Sequence, residues 1–221
     1  MTSNTVIPPQ VEQHEEPHKS IQQIIDEHDK KYPVYYSPYA QRIVRSWLQN
    51  EDRFRCKSTY LEGQTEIKPY MREQLIDWLI DMNTHYSHHR ETLYLCVNIV
   101  DRYVNYTIRN QTDLVVRSEY QLVGLTAYYI ACKYEEIYFP DMNDLLSRAD
   151  NAYSEAKVKG MELKIVNTLK FDLSVPTTNK FLDRFLRVGF RSFLMRFMSN
   201  NGSLNNNHSY VGMSYANAIV K

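Results

Sequence analysis

The stretch Met71–Tyr86, MREQLIDWLIDMNTHY, decides how the chain is read. At about 100° per residue, Met71, Leu75, Trp78, Leu79, Met82 and Tyr86 fall within one helical arc of roughly 100°. Ile76 and Ile80 lie off that arc. A helix that offers apolar contacts in more than one direction is expected to be central, with other helices wrapped around it.

Working outward, helical spacing recurs. Tyr39–Glu51 (YAQRIVRSWLQNE) places Tyr39, Ile43, Trp47 and Leu48 as a short amphipathic helix, and residues 52–70 read as an extended connection ending at Lys68-Pro69. After the opening stretch, Glu91–Asn105 puts Leu93, Cys96, Val97, Val100 and Val104 on one face. Residues 106–117 break the pattern and predict a longer connection than the ~2–8 residues common between bundled helices. Ser118 is a candidate cap for a helix over Glu119–Tyr134, in which Gly124, Ala127 and Ala131 form a small-residue seam suited to close packing. Pro140-Asp141 opens a short helix to about Ala149. Ser154 caps a longer one through Leu169, with Val158, Met161, Ile165 and Leu169 inward. Phe171–Thr177 reads as a linker, Asn179–Phe190 as the start of another helix, and the end is Asn-rich. Residues 1–38, with five prolines among polar residues, read as a largely disordered tail.

The totals narrow the class. The 221 residues hold 26 basic and 26 acidic side chains, so no long-range attraction to nucleic acid is expected, and no direct nucleic-acid contact. Three cysteines, Cys56, Cys96 and Cys132, form no CxxC pair, which suits a reducing compartment. No leader pattern and no run of eighteen apolar residues occurs, so a soluble, intracellular protein without membrane contact is expected. With 6 glycines and no alternating runs, the fold class is all-α.

Candidate chemistry is sparse. His85 and His89 have i, i+4 spacing with His88 between them, but no HExxH or acidic ligand accompanies them; a polar helix end explains them, and no metal or other cofactor is expected. Glu135 and Glu136 point about 100° apart and read as a solvated helix end rather than an acid/base pair. No phosphate loop or nucleophile motif is present, so no catalytic residue is assigned. Arg72 and Asp101 are charges on otherwise apolar helices that antiparallel packing would bring together as a buried pair; two unrelated surface charges is the alternative. Lys133, in a last helical turn, suits the helix dipole, and Glu162 by periodicity faces solvent.

MREQLIDWL (71–79), ETLYLCVNIVDRYV (91–104), QLVGLTAYYIACKYEEIYFP (121–140) and KIVNTLKFDLSVPT (164–177) together resemble the cyclin box of A/B-type mitotic cyclins, over about residues 39–186. YLEGQTEI (60–67) and KYEEIY lean toward the B type. The resemblance implies a five-helix cyclin box over 71–172, preceded by an N-terminal helix and connection over 39–70. Residues 173–221 match only the start of a second cyclin fold, followed by the Asn-rich end. A regulatory subunit, not an enzyme, is implied: one that binds and allosterically activates a cyclin-dependent kinase in G2/M control, in nucleus and cytoplasm. Lys133 and Glu162 match the pair that grips the kinase, with Tyr39 and Ile43 on the N-terminal helix touching it. Arg72 and Asp101 match the family's structural pair. Met71, Leu75, Trp78 and Gln121 match the patch that docks RxL-type substrate or inhibitor peptides. Gln74 and Tyr120 stand where the family has apolar residues, which implies a more polar groove.

The 45 residues after Pro176 are too few for a second five-helix fold, so a truncated product or a divergent short cyclin is expected. The tail over 1–38 has no arginine and no KEN triplet, hence no RxxL-type or KEN degradation signal. Further readings are a decoy that binds a kinase without full activation, a transcription-type cyclin-box adaptor, and a metal-dependent helical hydrolase built on the histidines.

Overall fold

The computed structural model describes residues 37–111 and 114–187, with Lys30 and Gly189. Every regular element among the described residues is helical. Residues 41–186 form one compact unit. The disordered-tail and Asn-rich assignments therefore fall almost wholly outside the described residues.

The helices are α1 (Ala40–Phe54), α2 (Pro69–His85), α3 (Arg90–Asn110), α4 (Arg117–Glu135), α5 (Met142–Ser147) and α6 (Glu155–Thr168). Residues 178–187 are helical again and are labelled α7. Single turns of 3₁₀ helix cover Ser37–Tyr39 and Tyr60–Gly63. The span 52–70, expected to be extended, thus carries the last turn of α1 and a 3₁₀ turn before Pro69 starts α2 at N1, where its missing N–H costs nothing.

The central helix is α4, not the stretch from Met71 to Tyr86. Eleven of the nineteen residues of α4 are buried, among them Leu122, Val123, Leu125, Tyr128 and Ile130, whereas α2 buries only Leu75, Leu79, Met82 and Asn83. α4 packs on α3, α6 and α2. Periodicity reported that α2 has apolar residues on two sides, but not that its second side stays accessible: Ile80 is exposed, and with Ile76 it lines a surface cleft shared with Leu93, Val97 and Phe181. The small residues of α4 explain its place. A Cβ on Gly124 would stand 2.6 Å from Leu75 Cδ1, so a side chain at residue 124 would force Leu75 out of its present seat.

Several boundaries move. α3 runs five residues past Asn105 and stops at Gln111, which takes a left-handed φ of 51°. Its buried face is Leu95, Cys96, Ile99, Val100, Tyr103 and Val104, so Leu93 and Val97 lie at the edge of the core rather than within it. Ser118 caps nothing. α4 begins at Arg117, whose N–H donates to Glu66 Oε2 at 2.8 Å. The N-terminus of α3 is held the same way, by His89 N–H donating to Glu136 Oε1 at 2.7 Å and by the Thr92 hydroxyl donating to the same oxygen. Asp141 and Ser154, by contrast, cap α5 and α6 locally, accepting from Asn143 N and Lys157 N.

Residues 171–177 are not a loose linker. Leu173 and Val175 are buried, and Thr177 Oγ1 donates to Glu91, so the chain from 173 to 186 belongs to the same compact unit as the box. Lys180 Nζ lies 3.2 Å from Glu91 and 3.7 Å from Glu135, while Trp47 of α1 meets Phe181 edge-on at 5.6 Å. Burial raises the Glu135 carboxyl above the ordinary carboxylate range, against the pull of Lys180. The pair Glu135-Glu136 is therefore a half-buried structural anchor, not a solvated helix end. Among the described residues no helix is long and apolar enough to cross a membrane.

Candidate partner-binding surface

α4 and α6 lie side by side, which brings together two residues 29 positions apart: Lys133 Nζ and Glu162 Oε1 form an ion pair. Met161, one residue before Glu162, is inward and seats α6, so Glu162 stands at the rim, neither in the core nor in open solvent. Lys133 Nζ also sits 4.4 Å from the Tyr129 ring centroid, a cation–π contact that holds the ammonium against the helix. Phe139 is edge-on to Tyr129 at 6.1 Å.

Beyond α4 the chain does something periodicity did not announce. Ile137 and Tyr138 are each 87% exposed and Phe139 50%, directly after the Glu136 anchor and before Asp141 caps α5. Three consecutive large apolar residues facing solvent beside an ion pair are a costly arrangement for an isolated domain, and such patches mark interaction surfaces. Leu163, on α6, is also 60% exposed. The available signal was the wording EEIYF itself: an apolar run placed after a helix end, where no helical face can absorb it.

The other charged pair is built differently. Arg72 Nε and Nη2 donate to the two carboxylate oxygens of Asp101 at 2.8 and 2.7 Å, a bidentate fork, and Tyr60 Oη donates to Asp101 Oδ1 at 2.5 Å. The Asp101 bonds hold the Arg72 guanidinium above its ordinary value, and burial with the Asp101 charge pushes the Tyr60 phenol far up. This cluster joins α2, α3 and the 3₁₀ turn. Both Asp101 oxygens are occupied within it.

The remaining sequence-derived residues differ in exposure. Of the six assigned to a docking patch, Leu75 and Tyr120 are buried, so neither adds surface and Tyr120 does not make the patch more polar. The reason is steric. Leu75 fills the space over Gly124, and the Tyr120 ring lies under the surface near Asp101 and Arg72, its hydroxyl without a hydrogen-bond partner among the described residues. Met71 and Trp78 are half-buried against the core, while Gln74 and Gln121 are exposed; Gln121 Oε1 accepts from Tyr153 Oη at 3.2 Å. Ile43 is half-buried on α1, and Tyr39 ends the preceding 3₁₀ turn rather than starting the helix.

The histidines do not converge. His85 Nε2 is 2.6 Å from Arg148 Nη2, His88 Nδ1 is 2.7 Å from Tyr128 Oη and 3.4 Å from Cys132 Sγ, and His89 engages Glu136 through its main chain. No cluster of metal-ligating side chains occurs among the described residues.

An all-helical box with a charged pair and an exposed apolar turn at one end defines a helical interaction module. The match to the family described as "Cyclin, N-terminal domain" extends over residues 42–174, more than half of the chain, and the chain belongs to the cyclin family. It is similar to Cyclin-B2-1 of Oryza sativa subsp. japonica, 39% identical over 164 residues, which are 74% of this chain and 38% of that protein. It is 37% identical to G2/mitotic-specific cyclin-1 of Medicago sativa subsp. varia over 74% of this chain and 37% of that one. Against Cyclin-A1 of Mus musculus the identity is 40%, over 70% and 35%. The chain thus spans less than two fifths of the length of these curated relatives.

Proposed function

We propose that this chain is a regulatory, non-catalytic cyclin that binds a cyclin-dependent Ser/Thr kinase and activates it allosterically during cell division, in nucleus and cytoplasm. The observation that carries the reading is the end of α4: Lys133 and Glu162 paired at the rim beside the exposed Ile137, Tyr138 and Phe139. Rigid anchoring of that turn by Glu136 and Asp141 suits a surface that must hold a mobile helix of a kinase inward, so that the helix glutamate pairs with the ATP-positioning lysine. The relatives named G2/mitotic-specific support the cell-division setting.

Affinity capture of the tagged chain from dividing cells, followed by identification of the bound kinase and a phosphorylation assay, tests this. Kinase capture with stimulated phosphorylation is expected. Lys133→Ala with Glu162→Ala is expected to abolish capture while the helical circular-dichroism signal is kept. A folded chain that neither binds nor stimulates any such kinase overturns the reading.

We further propose that the surface around Met71, Gln74, Trp78 and Gln121, beside buried Leu75 and Tyr120, takes RxL-type substrate or inhibitor peptides. Binding of a labelled RxL peptide that is lost on Trp78→Ala and kept on Lys133→Ala is the expected result; equal binding by both variants rejects it.

A further inference from the structure

On the side of the unit formed by the end of α1, the outer face of α3 and the turn after α6 lies a cleft of about 610 Å³. Its lining is mostly polar and unusually basic. Arg53, Arg55, Arg102, Arg109 and Lys170 face it, against Asp52 and Asp172 as the only acids. In a chain whose charges balance, this is a local excess.

The pairing inside the cleft leaves that excess in place. Arg55 is paired with Glu51 and Asp52, and Arg53 with Asp172. Arg102 then has only the Asp172 main-chain oxygen at 2.9 Å and Asn98 Oδ1 at 3.5 Å as acceptors and forms no ion pair among the described residues. Both guanidiniums flank the Phe54 ring, with centroid distances of 5.3 Å for Arg53 and 4.9 Å for Arg102. Burial pulls Arg102 below the ordinary arginine value, only partly offset by Asp172, which is the signature of an under-neutralised cation. Arg109 and Lys170 form no ion pair among the described residues and are exposed at the mouth. The α3 dipole favours Arg109, in its last turn, and the α6 dipole favours Lys170, two residues past its end in a left-handed turn with φ 54°, but neither supplies a counter-charge.

We propose that this cleft binds a phosphorylated serine or threonine within a partner peptide. A carboxylate would neutralise one of three cations, whereas a phosphate monoester carries about −1.5 to −2 charge and three acceptor oxygens. Arginine guanidinium matches such an oxygen array with two parallel N–H bonds. A nucleic-acid strand fits less well, because Asp52 and Asp172 would oppose its neighbouring phosphates and the chain has no net positive charge to attract it. A peptide rather than free phosphate is favoured by the size of the cleft and by the exposed Tyr106 on its wall and Phe171 beside Lys170, which offer apolar contact to flanking residues. The site shares none of the residues assigned to kinase binding, so it stands or falls separately from that reading.

The experiment uses the full chain and two pools of short fluorescent peptides with randomised flanks, one with a central phosphoserine and one with serine, read by anisotropy near physiological salt. The phosphorylated pool is expected to bind roughly tenfold tighter or better, a difference of about 1.4 kcal/mol. The preference is expected to vanish in Arg109→Glu/Lys170→Glu, to weaken in the milder Arg109→Gln/Lys170→Gln, and to survive Lys133→Ala/Glu162→Ala. Equal binding of the two pools overturns the proposal. So does a preference untouched by both Arg109/Lys170 variants, competition by inorganic phosphate without any phosphopeptide preference, or an oligonucleotide that binds more tightly than the phosphorylated pool.

Discussion

Arg72–Asp101 and Lys133–Glu162 are the same chemistry at similar side-chain exposure, 31% and 16% against 33% and 22%, but in different surroundings. The first is a bidentate fork reinforced by Tyr60 and wedged between two helices and a turn. The second is a single contact at the rim, its lysine also leaning on Tyr129, with exposed apolar residues alongside. A fork with every oxygen occupied contributes by organising its surroundings, and breaking it strands a charge. A pair joined by a single contact contributes less to stability and leaves hydrogen-bonding capacity on both groups for a partner. The two sites differ in how many bonds each charge makes, not in how far its side chain is exposed.

Breaking the first pair should give the largest effect. Asp101→Ala is expected to destabilise the fold by roughly 2–3 kcal/mol, below the ~3–5 of a fully buried pair because Arg72 retains some access to water. Urea unfolding checks it, and Arg72→Met with Asp101→Leu should recover part of the loss; a change under about 0.5 kcal/mol for Asp101→Ala would place this pair with ordinary surface bridges. Next comes the seat of α2. Gly124→Val drives a side chain into Leu75 and should cost about 1–3 kcal/mol in the same measurement. Lys133→Ala with Glu162→Ala should cost no more than ~1 kcal/mol, given the single contact at the rim, while removing kinase capture. A large stability loss there would erase the contrast.

The smallest effect sharpens the same contrast through pH. His88 is packed among Tyr86, Tyr128 and Cys132, with Glu136 and His89 nearby, and burial lowers its pKa despite Glu136. The folded state then binds fewer protons than the unfolded state, so stability is fully present above about pH 6.5 and declines as pH falls toward the lower folded value. Glu135, raised by burial, acts in the opposite sense at lower pH. Melting temperature should therefore fall more between about pH 7.5 and 5.5 for the parent than for His88→Leu, with the other histidines common to both. Parallel curves would show that His88 ionises in the fold as it does in water.

Much of the fold was legible residue by residue. Five helices of the box, the Ser154 cap, the inward set Val158, Met161 and Ile165, and the seam of Gly124, Ala127 and Ala131 all follow from spacing and local backbone chemistry. The caps that spacing missed, Glu66 on α4 and Glu136 on α3, come from 51 and 47 residues away. Ser118 looked right because capping preference is a local statement, and a remote carboxylate overrode it. Glu162 shows the same limit: periodicity sends it to solvent, and only the neighbouring helix supplies Lys133 as a partner.

The chain's own pattern was enough to define an all-helical box, because helical periodicity and caps within a few residues are encoded where they act. Which helix is central, which side of α2 remains open, that Leu75 and Tyr120 go under, and that residues 173–186 close onto the box were settled by packing. Each of these depends on volumes and partners distant in sequence: the missing Cβ of Gly124 beneath Leu75, and the carboxylates of Glu91 and Glu135 around Lys180. The basic cleft belongs to the same category, since the end of α1, the end of α3 and the turn after α6 become one charged surface only when folded.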